Sequence, residues 1–252
     1  MYNNKNMDPL DANTILTEDG QRIAFNHLKK SFPQVIIIAH GFYNNKDTVL
    51  FKGIANSIHK YYDVITFDFR GHGKSSGLFT WTSHEQKDLQ AVISYTKLHN
   101  YAKIGILGFS LGGAIALIEA SRNTSLQSII SVSSPSDFWK INYHFWKEEM
   151  WEDLKLNLGV KGRGKGIRPG NPFTKKIRPV DVVHQISPRP ILFIHGQKDW
   201  LIHPSHSQKL FEKAGERKAI NIIQDGGHAE RIFDVFSDRF EKICLDWFKE
   251  TL

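Results

Sequence analysis

One fifteen-residue stretch, residues 103–117, constrains the fold of this 252-residue chain more than any other. An apolar run typical of a short strand reaches Gly108, and an Ala/Leu/Ile pattern typical of a helix begins directly after Gly113. Ser110 lies between the two, at the apex of a tight turn. Such a turn crowds the backbone on both sides of its central residue, and Gly108 and Gly112 supply the small residues that it requires. The stretch therefore predicts a strand, a sharp turn and a helix, with the Ser110 hydroxyl held at the helix start.

The rest of the chain alternates strands with helices. Residues 34–39 form a β-branched run typical of a strand buried on both faces, and residues 49–58 carry apolar side chains at helical spacing. Asp19-Gly20, between two strand-like runs, predicts an antiparallel hairpin. Further strands are predicted at 64–67, 128–132, 191–195 and 219–223, and further helices at 83–98, at 206–214 and in the last segment. Because parallel strands need crossover connections, we expect an α/β fold with a mostly parallel, eight-stranded sheet and helices on both faces.

The alternation stops between residues 136 and 188. This segment begins with an aromatic stretch that includes Trp139 and Trp146, and it continues as a Gly/Pro-rich stretch. We predict a small cap insertion at 136–188 on a single core built from residues 1–135 and 189–252. Trp139 and Trp146 are expected to roof an apolar substrate pocket, with Trp200 near its mouth. The alternative is that these aromatic residues only anchor the insertion on the core.

The net charge of +7 belongs to one segment. Residues 154–180 contain eight lysines and arginines and no acidic residue, which leaves the rest of the chain at −1. These cations cannot neutralise one another, so we expect a mobile cationic rim that favours anionic substrates or surfaces. No nucleic-acid-binding motif accompanies the segment, and no nucleic-acid partner is expected.

Composition excludes several other classes of protein. Cys244 is the only cysteine, so the chain has neither an intrachain disulfide nor a cysteine-based metal cluster, and its apolar neighbours predict a core position. No apolar run approaches the length of about 20 residues that a membrane span needs. The first residues lack the apolar region of a secretory signal, so the expected location is cytoplasmic.

Two later strand ends carry candidate partners for Ser110. A serine hydroxyl needs a base to act as a nucleophile, and the base needs an orienting carboxylate. Asp199 follows the strand predicted at 191–195, and His228 follows the strand predicted at 219–223. Since the carboxyl ends of parallel strands share one edge, we expect these three side chains to meet there. Asp225 is a rival for the acid, but it precedes His228 by only three residues in one loop and would have to fold back on it. Asp137, after the preceding strand, is the better rival.

Backbone donors near Ser110 complete the candidate site. Attack on an acyl carbon places negative charge on the carbonyl oxygen, which requires donors already in position. The N–H of Leu111 directly follows the nucleophile, and the N–H of Phe42 lies in the loop after the strand predicted at 34–39. We expect these two groups to form the oxyanion hole.

Five short motifs carry a resemblance to a known family. AHGF, DFRGHGKSSG, GFSLGG, HGQKD and GGH occur in the order and spacing of serine hydrolases of the α/β-hydrolase superfamily, over roughly residues 15–250. Within it, the chain is similar to bacterial carboxylesterases of the cinnamoyl/feruloyl-esterase kind and, more distantly, to monoacylglycerol lipases. The resemblance implies the α/β-hydrolase fold, a Ser–His–Asp triad, an acyl-enzyme intermediate and no cofactor.

The expected activity is hydrolysis of a small-molecule carboxylic ester. A thioesterase or a serine peptidase would use the same three residues, and a ligand-binding homologue without turnover is a further alternative. The sequence predicts neither the acyl and alcohol groups nor the oligomeric state.

Overall fold

The central sheet has eight strands within residues 13–141, 148, 151 and 166–252, which are the residues that the computed structural model describes. Its strand order is β1-β2-β4-β3-β5-β6-β7-β8. The hairpin of β1 and β2 turns at Asp19-Gly20 and β2 runs antiparallel to β4, whereas all other neighbours are parallel. The strands are β1 (Thr14–Leu16), β2 (Arg22–Leu28), β3 (Gln34–Ala39), β4 (Asp63–Phe67), β5 (Lys103–Phe109), β6 (Leu126–Val132), β7 (Ile191–Gly196) and β8 (Lys218–Ile223). The predicted fold class is confirmed.

Helices cover both faces of this sheet. They are α1 (Val49–Ile58), α2 (Glu85–Lys97), α3 (Leu111–Arg122), α4 (Pro179–Val182), α5 (Ser205–Lys213) and α6 (Arg231–Thr251). Alternate residues of β3 face opposite sides: Ile37 belongs to an apolar cluster with Leu89 of α2 and Leu210 of α5, while Ile36 belongs to a second cluster with Phe51 of α1 and Cys244 of α6. This alternation makes two apolar layers, and Cys244 is fully buried in one of them. Among the described helices, none combines the length and apolar character needed to cross a bilayer.

The segment predicted as a cap insertion, residues 136–188, lies between β6 and β7. After β6 the chain makes a 3₁₀ turn at Phe138–Lys140, and it returns through α4 and a second 3₁₀ turn at Val183–Ile186. Val183 and Ile186 are fully buried in the layer that contains α2, α3 and α5. The last part of this segment thus packs with the core, and the division into core and cap stays a prediction.

The end of the basic segment is attached to the loop that follows β4. Phe79 forms a parallel bridge with Pro169, its N–H donates to the Arg168 carbonyl at 2.8 Å, and the N–H of Gly170 donates to the Phe79 carbonyl at 2.7 Å. The Arg168 guanidinium donates to the carbonyl of Ser75. Carbonyl groups outside the segment accept the hydrogen bonds of Arg168, which ties this cation to the loop after β4, and the mobile cationic rim stays a prediction for the segment. Four other cations, Lys155, Lys161, Arg163 and Lys165, lie outside the described residues.

Candidate active site

Ser110 joins β5 to α3 in a strained conformation. Its φ of 52° and ψ of −121° lie in a region that L-residues rarely adopt, at a cost on the order of 1–3 kcal/mol. The surrounding backbone fixes this geometry, since the Ser110 N–H donates to the Val132 carbonyl at 2.8 Å and the Ser110 carbonyl accepts from the Ala114 N–H at 3.1 Å. The elbow therefore presents the hydroxyl at the carboxyl edge of the sheet, beside the end of β6.

Close backbone approach explains the glycines of the elbow. A Cβ atom on Gly108 would lie 2.6 Å from the Gly113 Cα, and one on Gly112 would overlap the carbonyl oxygen of His40. Both obstacles are backbone atoms and cannot swing away as a side chain can. Gly108 and Gly112 are thus required for the packing of β5, α3 and the loop after β3, as the sequence predicts.

Ser110, His228 and Asp199 form one hydrogen-bonded chain. The Ser110 Oγ lies 3.0 Å from the Nε2 of His228, and the His228 Nδ1 lies 2.8 Å and 3.0 Å from the two carboxylate oxygens of Asp199. A carboxylate only accepts, so Nδ1 carries the ring proton and Nε2 accepts from the serine hydroxyl. All three residues are buried. The structure therefore brings together the three residues that the sequence nominates, in the protonation pattern that a general base requires.

The environment of Asp199 keeps its carboxylate ionised. Its Oδ1 accepts from the backbone N–H groups of Leu201 at 3.0 Å and Ile202 at 2.8 Å, and its Oδ2 faces both His228 and His195. Burial by itself raises the pKa of Asp199, but the His228 charge and the hydrogen bonds from His195 and His228 outweigh burial and hold this pKa well below its usual range. The carboxylate therefore remains an acceptor for the imidazole at neutral pH.

His195 is a buried residue of the site that the sequence reasoning missed. Its Nε2 lies 2.7 Å from the Ile202 carbonyl and 3.2 Å from Oδ2 of Asp199, and its Nδ1 lies 2.6 Å from the Ser207 hydroxyl. Because a carbonyl only accepts, Nε2 carries the proton and Nδ1 accepts from Ser207. His195 thus positions the carboxylate and the turn at 199–202. The position of His195 in the HGQKD motif could have indicated a role in the site. In the sequence alone, however, His195 is predicted to be only the last residue of a strand.

The variant His195→Leu is expected to lower the free energy of unfolding by about 2–4 kcal/mol, since each buried polar group left unpaired costs about 1–3 kcal/mol. The groups left without their partner are the Ile202 carbonyl and the Ser207 hydroxyl, and Asp199 loses one donor. Urea unfolding measures the change. His203→Leu, at an exposed histidine in the same loop, is the matched control and should unfold like the parent chain. Equal midpoints for both variants would contradict this role.

The rival carboxylates have other partners. Asp137 accepts from the Trp139 N–H at 3.1 Å and pairs with Arg178 at 3.6 Å, while Asp225 is half exposed and pairs with Lys198 at 2.6 Å. The carboxylate that reaches His228 is that of Asp199. The geometry therefore favours Asp199 over Asp137 as the acid.

The loop after β3 lies directly against Ser110. A Cβ atom on Gly41 would be 3.0 Å from the Cβ of Ser110. Burial keeps the pKa of His40 well below its usual range, so the ring is neutral, donating to the Gly41 carbonyl at 2.7 Å and accepting from the Phe69 N–H at 3.1 Å. Within the described ranges, neither the N–H of Phe42 nor that of Leu111 donates to another group. Both are available to an oxyanion beside Ser110.

An aromatic group flanks this loop, and most of it was not anticipated. The Phe42 ring packs against Phe79 and Trp81 at centroid distances of 5.2 Å and 5.1 Å. These rings belong to an apolar cluster that contains Leu111, the residue after Ser110. The Trp81 indole Nε1 is buried and has no hydrogen-bond partner among the described residues. We call Phe42, Phe79 and Trp81 the aromatic group.

The three tryptophans that the sequence predicts at the substrate pocket differ in where the structure places them. Trp200 lies at the site, with its ring centroid 6.4 Å from that of His228. Trp139 is 68% exposed, with the Lys176 ammonium 5.2 Å from its ring centre, so the structure does not place it over a pocket. An indole that open to solvent encloses little ligand surface in this structure, and the pocket role of Trp139 stays a prediction. Trp146 lies outside the described residues.

Comparisons with known sequences found a matching family model and several relatives. A family model described as alpha/beta hydrolase fold matches residues 34–159, half of the chain. The uncharacterized protein YqkD of Bacillus subtilis is 29% identical over 78% of this chain and 65% of its own length, and YfhR of Escherichia coli K12 is 25% identical over 76% and 62%. The chain spans less than two thirds of the length of these relatives. Human serine hydrolase BPHL is 21% identical over 90% of this chain and 85% of its own.

Solved structures share the architecture at low sequence identity. The Pyrococcus furiosus esterase Pf2001 superposes with a TM-score of 0.77 at 22% identity, covering 94% of this chain and 89% of that protein. The Exiguobacterium antarcticum esterase EaEST has a TM-score of 0.71 at 17% identity, covering 94% and 99%. At these identities the likeness shows the fold alone.

Proposed function

This chain belongs to the α/β-hydrolase family, and from that premise we propose that it is a serine hydrolase that cleaves carboxylic esters through Ser110, His228 and Asp199. The hydrogen-bonded chain from the Ser110 hydroxyl through His228 to the Asp199 carboxylate is the observation that carries the proposal. A fold by itself does not specify an activity, but these groups have the order and protonation that nucleophilic catalysis needs.

In the proposed first half-reaction, Ser110 Oγ attacks the ester carbonyl carbon. The His228 Nε2, 3.0 Å away, takes the hydroxyl proton as the bond forms. Asp199 stabilises the resulting imidazolium without accepting its proton. The N–H groups of Phe42 and Leu111 donate to the oxyanion. When the tetrahedral intermediate collapses, His228 gives the proton to the leaving alcohol and Ser110 retains the acyl group.

The second half-reaction releases the acid and restores the enzyme. His228 takes a proton from water, the hydroxide attacks the acyl carbon, and the same two N–H groups stabilise the second oxyanion. Collapse breaks the bond to the Ser110 Oγ, which recovers its proton from His228. Every atom of the scheme comes from the ester, water and this chain.

A substrate panel tests the proposal. p-Nitrophenyl esters of graded chain length, methyl ferulate, an acyl thioester and an aminoacyl amide should be assayed at matched concentrations. We expect the oxygen esters to give the highest kcat/KM. A higher value for the thioester or the amide would assign the same three residues to a thioesterase or a peptidase, and no turnover on any compound would favour a ligand-binding role.

We also propose that the aromatic group forms part of the acyl pocket. The variant Trp81→Ala should lower the ratio of kcat/KM for a medium-chain or aryl ester to that for an acetyl ester by about tenfold, because even one methylene in an apolar pocket changes this ratio by roughly 10–200-fold. Steady-state kinetics on the two esters measures the ratio.

Trp139→Ala is the matched control for this experiment. Its side chain is exposed and lies outside the aromatic group, so the ratio should stay at the parent value. If Trp139→Ala shifts the ratio and Trp81→Ala does not, the acyl pocket lies under the insertion, as the sequence first suggests. Residues between Phe138 and Arg178 would then act as the cap.

A further inference from the structure

Apolar side chains project into solvent beside the active-site edge. Trp139, Phe173 and Ile177 are 68%, 84% and 41% exposed. Singly exposed apolar residues are ordinary, but adjoining ones mark an interaction surface. Lys176 joins two parts of the chain here, since its ammonium lies 5.2 Å from the Trp139 ring centre and 3.0 Å from the Thr174 carbonyl, which it donates to. This contact brings the 3₁₀ turn next to residues 173–177.

Lysines neighbour these apolar residues in the sequence. Lys140 follows Trp139, and Lys175 and Lys176 follow Phe173 by two and three residues. None of the three lysines forms an ion pair in the part of the chain that the structure describes. The nearby acids have other partners: Asp137 and Asp181 pair with Arg178, Glu18 pairs with Lys87 at 3.0 Å, and Glu85 is buried and accepts from Thr80. We call Trp139, Lys140, Phe173, Lys175, Lys176 and Ile177 the aromatic–lysine face.

This face is fixed to the core on the catalytic side of the sheet. Thr174 hydrogen-bonds through its hydroxyl to the Ser83 hydroxyl, and it also donates to the Thr80 carbonyl at 3.3 Å. Phe138, adjacent to Trp139, packs in the apolar cluster that includes Leu111. Of the three exposed apolar residues, Trp139 is therefore directly adjacent in sequence to the cluster that borders Ser110.

We propose that the aromatic–lysine face binds the surface of an anionic lipid bilayer. Indole and phenyl rings insert at the boundary between headgroups and acyl chains, and lysines around them attract anionic headgroups. Single-stranded nucleic acid would also attract lysines and stack on rings, but it offers no apolar medium for Ile177. Contact with a bilayer covers all three apolar side chains and compensates the unpaired cations together. Binding of this kind requires no turnover and stands apart from the esterase proposal.

Vesicle co-sedimentation of the full chain tests this directly. We expect binding to vesicles of phosphatidylcholine with about 30% phosphatidylglycerol, little binding to phosphatidylcholine alone, and loss of binding as salt rises from about 0.05 M to about 0.5 M. Lys175→Glu changes two charge units and should weaken partitioning by about thirtyfold, and Phe173→Ser should weaken it by about tenfold.

Two variants on other surfaces serve as matched controls. Lys103→Glu changes an exposed lysine at the start of β5, at the sheet edge opposite Ser110, and Leu98→Ser changes a 79% exposed residue after α2. Both should bind vesicles like the parent chain. Equal losses for Lys103→Glu and Lys175→Glu, equal binding to both vesicle types, or binding to single-stranded RNA in place of vesicles would each overturn the proposal. Concentration-dependent dimerisation that Phe173→Ser abolishes would also overturn it and assign the face to a second copy.

Discussion

The Ser110→Ala variant is expected to lose ester hydrolysis almost completely, by about 10⁶-fold in kcat, because the members of a triad act as a unit and the remaining two have no oxygen to activate. The alanine should fold, since backbone contacts such as the bond from the residue 110 N–H to the Val132 carbonyl hold the elbow. Kinetics on the best ester of the panel measures the loss. Thermal unfolding verifies the fold, and mass spectrometry of fluorophosphonate-treated protein tests for loss of the labelled site.

Ser57→Ala is the matched control for this variant. Ser57 is a buried serine in α1, and its hydroxyl donates to the Ile54 carbonyl at 3.0 Å on the same helix. Its kcat and its labelling should equal those of the parent chain. Retention of more than about 1% of kcat by Ser110→Ala, with contaminating esterases excluded, would refute the nucleophile assignment, as would a fluorophosphonate label on another residue.

Local sequence patterns were sufficient to predict the strands, the turn at Ser110 and the sheet edge at which the site lies. The β-branched run of β3 and the glycines around Ser110 specify their own conformations within a few residues, and strands that alternate with helices lead to a parallel sheet. Once the sheet is parallel, residues that follow different strands must meet at one edge. For this reason Asp199 and His228 could be placed beside Ser110 from positions 89 and 118 residues further along the chain.

Features that depend on tertiary contacts were not predictable in the same way. His195 reads as the end of a strand, and its function in the site comes from the Ser207 hydroxyl in α5, twelve residues later. Phe79 and Trp81 become pocket candidates only because the loop after β4 packs against Phe42. Trp139 is an aromatic residue of the kind that lines apolar pockets, but its exposure is set by the path of the chain after β6.

The Asp199→Asn variant is expected to lower kcat by about 10⁴-fold, because it favours the wrong tautomer of the catalytic histidine. The N–H groups of Leu201 and Ile202 donate to Oδ1, so the asparagine oxygen must occupy that position. The amide NH₂ then replaces Oδ2, which faces Nδ1 of His228 at 2.8 Å and the Nε2–H of His195 at 3.2 Å. A donor facing Nδ1 favours the ring with its proton on Nε2, and that ring cannot accept the Ser110 proton.

Two asparagine controls separate this effect from the loss of any nearby carboxylate. Asp137→Asn keeps an oxygen for the Trp139 N–H and loses only the pair with Arg178, and Asp225→Asn loses an exposed pair with Lys198 that contributes little. Both variants should retain kcat within about twofold of the parent value. A larger loss of kcat in Asp137→Asn than in Asp199→Asn would assign the acid of the triad to Asp137. Since Asp199 alone has its second oxygen against the imidazole, the loss should instead be confined to Asp199→Asn.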